Sequence, residues 1–303
     1  MAERVGFVGL GIMGRPMARN LLDAGFELVV HSRSPAPVDE LVAAGAERGA
    51  DPHDVAARAD VVITMLPDTP DVELVVRGPR GVAGGARPGS LVVDMSTIDP
   101  SAARDLAGSL DARGVAMLDA PVSGGERGAI EGTLSIMVGG SAAAFERAGP
   151  ILRTLGANVV HVGDAGAGQV AKACNQLVVA ATIEAVAEAL VLARTAGVDP
   201  AAVREALLGG FAGSKILEVH GQRMLAGDFQ PGFRSILHRK DARIVARTAR
   251  AVGAPVPSFD VAAQALERLV EAGRGEQDHA ALVTLLEDAA GVRLAGGPGG
   301  SRA

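Results

Sequence analysis

In the first half of the chain the apolar residues fall into short continuous runs at 4–8, 28–31, 61–65, 91–95, 117–120 and 159–162. Gly, Pro, Asp and Ser bound these runs. Runs of this length with no polar alternation predict strands buried on both faces. Between them, apolar residues at helical spacing mark 13–24, 37–44, 102–113 and 142–155. Strand and helix alternating in this way predict an α/β fold with a Rossmann-type, doubly wound parallel sheet. After Gly163 the strand signal stops. Residues 168–195 read as one long helix, rich in Ala, Val and Leu and ended by Gly197. It is apolar nearly all round, as expected of a helix between domains or in a subunit interface. From Pro200 to Glu287 further helices alternate with Gly and Pro punctuation. The expected organisation is an α/β domain at 1–163, an interdomain helix at 164–197, an all-α domain at 198–290 and a disordered tail at 291–303.

The loop after the first strand refines this picture. Gly9-Leu10-Gly11-Ile12-Met13-Gly14 follows the run VGFV and opens a helix. In that context the first glycine permits the tight turn, the second lets backbone approach a pyrophosphate, and the third lets helix and strand pack closely. The helix N-terminus then faces the negative charge. The first domain is therefore expected to bind a nicotinamide dinucleotide. The end of the second strand reads His31-Ser32-Arg33-Ser34, with no acid to take a ribose 2′-hydroxyl. Arg33, with Ser32 or Ser34, offers a clamp for a 2′-phosphate, which favours NADP, with NAD possible. The competing reading is that Arg33 stacks on adenine and both cofactors are accepted.

Composition narrows the chemistry. The 303 residues carry a net charge of −6 and no dense block of Arg, which argues against nucleic acid as partner. No apolar run is read as membrane-spanning, and the N-terminus begins directly with a strand. The sequence-based expectation is a cytoplasmic protein with no signal peptide and no membrane contact. Cys174 is the sole cysteine, and Trp and Tyr are absent. That excludes a cysteine-bound zinc and a tyrosine proton donor. The six histidines show no ligand spacing along the chain, so no metal is expected. Of 29 basic residues only Lys172, Lys215 and Lys240 are lysine. Lysine can lose its proton near neutral pH and arginine cannot, so these three are candidates for chemistry. Lys215, beside Gly213-Ser214, reads as a surface residue.

Three further segments stand out. Asp119-Ala120-Pro121-Val122-Ser123-Gly124-Gly125 follows a strand and offers a serine hydroxyl and two flexible backbone N–H groups to a carboxylate. Gly168 to Asn175 opens the long helix, with Lys172 and Asn175 three residues apart on one face. His238-Arg239-Lys240-Asp241 places another lysine in the helical domain.

With these segments the chain resembles the β-hydroxyacid dehydrogenase family. The matching pieces run in order from about residue 4 to 282: GFVGLGIMGRPMARNLL, MLP, DMSTIDP, DAPVSGGERGAIEGTLSIMVGG, GAGQVAKACNQ, GGFAGS and PGFRSILHRKDA. GGFAGS, PGFRSILHRKD and DHAAL resemble its tartronate semialdehyde branch rather than its 3-hydroxyisobutyrate branch. The resemblance implies Lys172 as catalytic acid/base. It also implies Ser123, Gly124, Gly125 and Asn175 at the substrate. Met65, Leu66, Pro67, Thr97 and Lys240 would contact the cofactor. It implies NAD(P)H-dependent interconversion of tartronate semialdehyde (2-hydroxy-3-oxopropanoate) and glycerate, in a homodimer or homotetramer. Other short 3-hydroxyacids, 3-hydroxyisobutyrate among them, are the alternative substrates. An imine reductase and a non-catalytic dinucleotide-binding module are more remote readings. Some relatives carry Asp at the position of Ser32, a pattern suited to NADH, so its replacement here points the same way as Arg33.

Overall fold

The structure is a computed structural model and describes residues 3–295. The chain divides into two compact units, with the boundary between Lys172 and Ala173. The first unit holds strands β1 (Val5–Val8), β2 (Leu28–His31), β3 (Glu47–Arg48), β4 (Val61–Thr64), β5 (Leu91–Asp94), β6 (Ala116–Asp119), β7 (Val122–Ser123), β8 (Ser135–Gly139) and β9 (Asn158–Gly163). Helices α1 (Gly14–Asp23), α2 (Pro35–Ala43), α3 (Pro52–Arg58), α4 (Thr69–Arg77), α5 (Val82–Gly85), α6 (Pro100–Asp111), α7 (Gly125–Glu131) and α8 (Ala142–Leu155) connect them.

Strand order is β3-β2-β1-β4-β5-β6-β8-β7, with β9 paired to β8. From β3 to β6 every pairing is parallel, as expected of a doubly wound sheet. Alternate strand residues serve opposite faces. Val5, Phe7, Val30, Ile63 and Val93 pack with Met17 and Leu21 of α1 and Ile151 and Leu152 of α8. Val8, Val29, Val62 and Val92 pack with Val55 of α3, Val72 and Val76 of α4, and Leu106 and Leu110 of α6. Burial on both faces is why these strands read as unbroken apolar runs.

The strands depart from the sequence reading in places. β3, β7 and β8 were not expected, and β8 runs antiparallel to β6 and β7. β9 was expected to be buried on both faces, yet every residue in it is exposed or half-buried. It pairs only with β8 among the described residues, so its outer edge lacks a covering strand. A β-branched run on such an edge is still a good strand, which explains the mistaken burial.

The long helix α9 (Ala167–Thr195) begins in the first unit and continues into the second. An unbroken helix therefore carries the boundary expected to be a separate element at 164–197. It is also long and apolar enough to cross a membrane by composition, contrary to the sequence reading. Half of its most apolar window is buried inside the protein. Ala180, Ile183, Ala187 and Leu190 belong to the core of the second unit, whereas Val178 and Leu192 are exposed. The remaining helices are α10 (Pro200–Leu208), α11 (Lys215–Ala226), α12 (Ser235–Val252), α13 (Pro257–Leu269) and α14 (Val283–Ala290).

The tail expected to be disordered from 291 is ordered as far as Ala295. Leu294 is buried, its N–H donates to Glu287 Oε1 at 2.6 Å, and its carbonyl accepts from Arg194 at 2.7 Å. A leucine that fills the helical core overrides the Gly-rich composition around it. Residues 296–303 of that tail lie outside the described residues.

The start of α9 is fixed by a buried carboxylate. Asp119 Oδ1 accepts the N–H of Gly166 at 2.7 Å, and its Oδ2 accepts that of Gln169 at 2.8 Å. These are among the N–H groups that a helix N-terminus leaves unpaired. Asp119→Ala strands both, and unfolding in urea should show a loss of about 2–6 kcal/mol at 1–3 kcal/mol per stranded group. A change within error would show that the two donors find other acceptors.

Candidate active site

The carboxyl ends of the parallel strands converge on one edge of the first unit, where ligands of such sheets bind. The turn after β1 holds the glycine motif. Gly9 has φ +102°, and a Cβ at Gly14 would stand 1.9 Å from the Gly9 carbonyl oxygen, so neither position tolerates a side chain. At Gly11 a Cβ would meet nothing within 4 Å. The backbone is thus open just where a pyrophosphate must approach it. Leu10 and Gly14 are buried, Met13 is half-buried, and Gly11 and Ile12 are exposed. This cradle fits a dinucleotide.

The neighbouring strand ends join it. A Cβ on Gly9 would meet the Met65 carbonyl oxygen at 2.3 Å, so the turn after β4 lies directly against the glycine turn. The Leu66 N–H donates to Ser96 Oγ at 2.9 Å, and that hydroxyl donates to Asp94 Oδ1 at 2.6 Å. Thr64 donates to the same oxygen at 2.8 Å. One buried carboxylate at the end of β5 therefore ties the turn Met65–Leu66–Pro67 to the segment carrying Thr97. At the end of β2, Ser32 is half-buried. Arg33 projects outward with 85% of its side chain exposed, and its one ion pair shown, to Asp71 at 3.8 Å, is long.

On the other side of β5, Asp94 and Asp119 are register partners at the ends of β5 and β6. Burial, reinforced by the Asp94 charge, pushes the Asp119 carboxyl up to about 6 against the pull of its N–H donors. Gly168 lets α9 approach: a Cβ there would stand 2.4 Å from the Asp119 carbonyl oxygen and 2.5 Å from that of Met137. Gln169 completes the seam. Its side-chain oxygen accepts from the Ile98 N–H at 3.1 Å, and its amide donates to the Ser96 carbonyl at 2.8 Å. The buried Lys172 lies one helical turn beyond, so the same seam sets its place at the strand ends. Ser123, at the end of β7, and Gly125 are half-buried; Gly124 is exposed. Gly124 and Gly125 have φ +134° and +62°, which present their N–H groups in a tight turn before α7.

In the second unit, Asn175 and Lys240 are joined through two buried residues. Asn175 Nδ2 donates to Gln176 Oε1 at 2.7 Å, and Gln176 Nε2 donates to Asp241 Oδ2 at 2.6 Å. Lys240 Nζ pairs with Asp241 Oδ1 at 2.8 Å, with the two side chains 18% and 3% exposed. Lys215 instead pairs with Glu218 on the surface at 2.8 Å.

Sequence reasoning missed Asp94, Ser96 and Gln169 beside the candidate residues of the first unit, and Gln176 and Asp241 beside those of the second. One of these had a legible signal: LVVD ends an apolar run in Asp94, an acid that a buried parallel strand tolerates only where it is bonded. It also missed a cluster brought together by folding alone. His220, Asp278 and His279 offer donor atoms within 4.8 Å of one another, with His238 against His279. Burial and the neighbouring His238 and His220 hold His279 well below the usual histidine range.

Comparison with known proteins agrees with the geometry. Residues 4–163 match the family described as the NAD binding domain of 6-phosphogluconate dehydrogenase. Residues 166–286 match the NAD-binding domain of NADP-dependent 3-hydroxyisobutyrate dehydrogenase. The chain is 46% identical to a 2-hydroxy-3-oxopropionate reductase of Escherichia coli (strain K12), over 96% of this chain and 100% of that protein. It is 40% identical to a 3-hydroxyisobutyrate dehydrogenase of Pseudomonas aeruginosa, over 84% of this chain and 87% of that one. A solved Mycobacterium tuberculosis 3-hydroxyisobutyrate dehydrogenase with L-serine superposes with a TM-score of 0.86 at 35% identity, covering 94% of this chain and 99% of that one. Two matched domains, full-length relatives and a fitting dinucleotide cradle make this chain a member of the β-hydroxyacid dehydrogenase family, a nicotinamide-dinucleotide-dependent oxidoreductase acting on a CH–OH group.

Proposed function

We propose that the protein interconverts tartronate semialdehyde and glycerate, with NADPH preferred over NADH. The observation that carries the substrate is the 46% identity to a 2-hydroxy-3-oxopropionate reductase along that protein's whole length. The second reading, 3-hydroxyisobutyrate, keeps the mechanism and changes the pocket; it is favoured by the 40% identity to that dehydrogenase.

Gly9–Gly14 would hold the pyrophosphate through backbone N–H groups, and Met65–Pro67, Thr97 and Lys240 would flank the remainder of the dinucleotide. When bound, the nicotinamide supplies the hydride. The chain's own part is to hold the aldehyde and deliver a proton. The Ser123 hydroxyl and the Gly124 and Gly125 N–H groups take the substrate carboxylate, which fixes the carbonyl in one orientation. Lys172 Nζ stands beside the carbonyl oxygen, stabilises the developing alkoxide as an ammonium and gives it a proton. In the oxidation direction the neutral amine takes the proton back. Arginine cannot serve, because it does not give up its proton at working pH. Asn175, held by Gln176, bonds the substrate from the next turn of the same helix.

The substrate reading is tested by following NADPH oxidation with tartronate, methylmalonate and succinate semialdehydes in parallel. We expect kcat/KM for tartronate semialdehyde to exceed the others at least about tenfold, a transition-state difference of about 1.4 kcal/mol. A preference for methylmalonate semialdehyde moves the protein to the 3-hydroxyisobutyrate reading.

Lys172→Ala should lower kcat by roughly 10²–10⁴-fold, the range for a lost general acid, with NADPH affinity nearly unchanged in a fluorescence titration. Normal turnover with lost cofactor binding would assign the lysine to the dinucleotide instead. Arg33→Ala should weaken NADPH at least about tenfold, on the order of one charge-assisted contact, while sparing NADH. Equal effects on the two cofactors would exclude the 2′-phosphate clamp.

A further inference from the structure

The second unit contains a polar cluster that the proposed reaction does not use. Asp278 and His279 precede α14, His220 projects from α11 and His238 from α12. His279 sits between two other imidazoles: its Nε2 faces His220 Nε2 at 3.3 Å, and its Nδ1 faces His238 Nδ1 at 3.0 Å. Asp278 is fully buried, and its Oδ2 accepts from Arg223 at 3.0 Å and from the N–H groups of Gly232 at 2.9 Å and Phe233 at 3.1 Å. Its Oδ1 accepts the Ala280 N–H at 3.0 Å and faces His220 Nδ1 at 3.6 Å. The Phe233 ring closes one side, 5.6 Å from the His279 ring.

We infer that His220 and His279 form a binding site for a divalent transition metal of the zinc class, held through their two Nε2 atoms. The geometry carries this. Two Zn–N bonds of ~2.0–2.1 Å at the tetrahedral angle set their nitrogens roughly 3.3 Å apart. That is the separation observed between His220 and His279. A metal-bound imidazole also donates its other ring N–H to an acceptor that fixes its tautomer and orientation. His279 has such a partner in His238 Nδ1 at 3.0 Å, while Asp278 Oδ1 stands 3.6 Å behind the buried, unbonded His220 Nδ1, as an ion-pair partner that a small ring shift would bring into bonding range. The Asp278–Arg223 pair leaves the surroundings near neutral, so a cation entering between the rings meets no uncompensated positive charge.

Donor type selects the ion. Two imidazole nitrogens suit Zn²⁺, Cu²⁺, Ni²⁺ or Co²⁺ and disfavour Mg²⁺ and Ca²⁺, which prefer oxygen. His220 keeps 16% of its side chain exposed, which provides the route in and room for water at the remaining coordination positions. Binding would cross-link α11 to the segment before α14 and raise the stability of the folded chain, since the two rings lie 59 residues apart in sequence. A shared proton fits the same gap between the two Nε2 atoms, so proton and metal are direct competitors.

The test uses tag-free, full-length protein treated with EDTA and then dialysed. Zn²⁺ is titrated against a chromophoric chelator, and thermal unfolding is followed with and without the ion. We expect one equivalent bound with a dissociation constant in the micromolar range, a higher Tm with Zn²⁺, and no shift with Mg²⁺. His220→Gln, at a partly exposed position that tolerates change, should weaken binding at least tenfold and abolish the Tm shift. His279→Asn should do the same if it folds. Cys174→Ser, which removes the exposed thiol, should bind as the parent does. No saturable binding would mean that a proton alone occupies the gap, and His220→Gln binding like the parent would place the ion elsewhere; either result overturns the site.

Discussion

A single buried carboxylate joins the sheet of the first unit to the helix that carries the candidate acid. Asp119 ends β6 and receives the N–H of Gly166, just before α9, and that of Gln169 in its first turn. Its contacts make sense of glycines that a packing argument alone would leave unexplained. Gly139 and Gly168 both border it, and a Cβ on Gly139 would stand 2.6 Å from its Oδ1. The clamp is costly, because desolvating a carboxylate disfavours its charged form. Two N–H donors of the helix N-terminus, where the macrodipole is positive, offset part of that cost. Gln169 then extends the seam to Ser96 and Ile98. The carboxyl ends of β5 and β6 and the turn below Lys172 are therefore tied together, and the backbone of that turn sets where the lysine starts.

The parallel half of the sheet was legible because its strands are buried on both faces and its first turn has a glycine at each position that steric demands dictate. β1, β2, β4, β5 and β6 begin and end within a residue of the apolar runs. What escaped was structure set by partners rather than by pattern. β7 has two residues and β8 mixes Ser, Met and Gly, so neither shows a clear period, and only pairing to β6 makes them strands. The candidate site divides in the same way. Glycines and the scarce lysines announce themselves by type, whereas Gln169 and Gln176 look like ordinary helix residues until their long-range partners at Ile98 and Asp241 are known.

The second unit repeats the device of the first with different chemistry around it. Asp278 gathers N–H groups from Gly232, Phe233 and Ala280, which tie the chain before α12 to the chain before α14. Buried carboxylates saturated by backbone donors are strong local constraints, and losing one exposes several unpaired groups at once. The histidines around Asp278 are separated by 18 and 41 residues, so no local spacing rule could have grouped them. Their proximity is a product of tertiary structure, and it places together nitrogen donors that a linear reading leaves apart.

Arg33 stands apart from all of these constraints. It projects from the end of β2 with most of its side chain in solvent and packs into neither hydrophobic face of the sheet. On the reading that it meets the ribose, the residue that distinguishes one dinucleotide from the other contributes almost nothing to folding. Nucleotide preference can then drift, or be redesigned, by surface substitution without the stability debt that accompanies core changes. On that same reading, nucleotide preference can follow whichever reduced cofactor is abundant, while the buried seam around Asp119 stays unchanged.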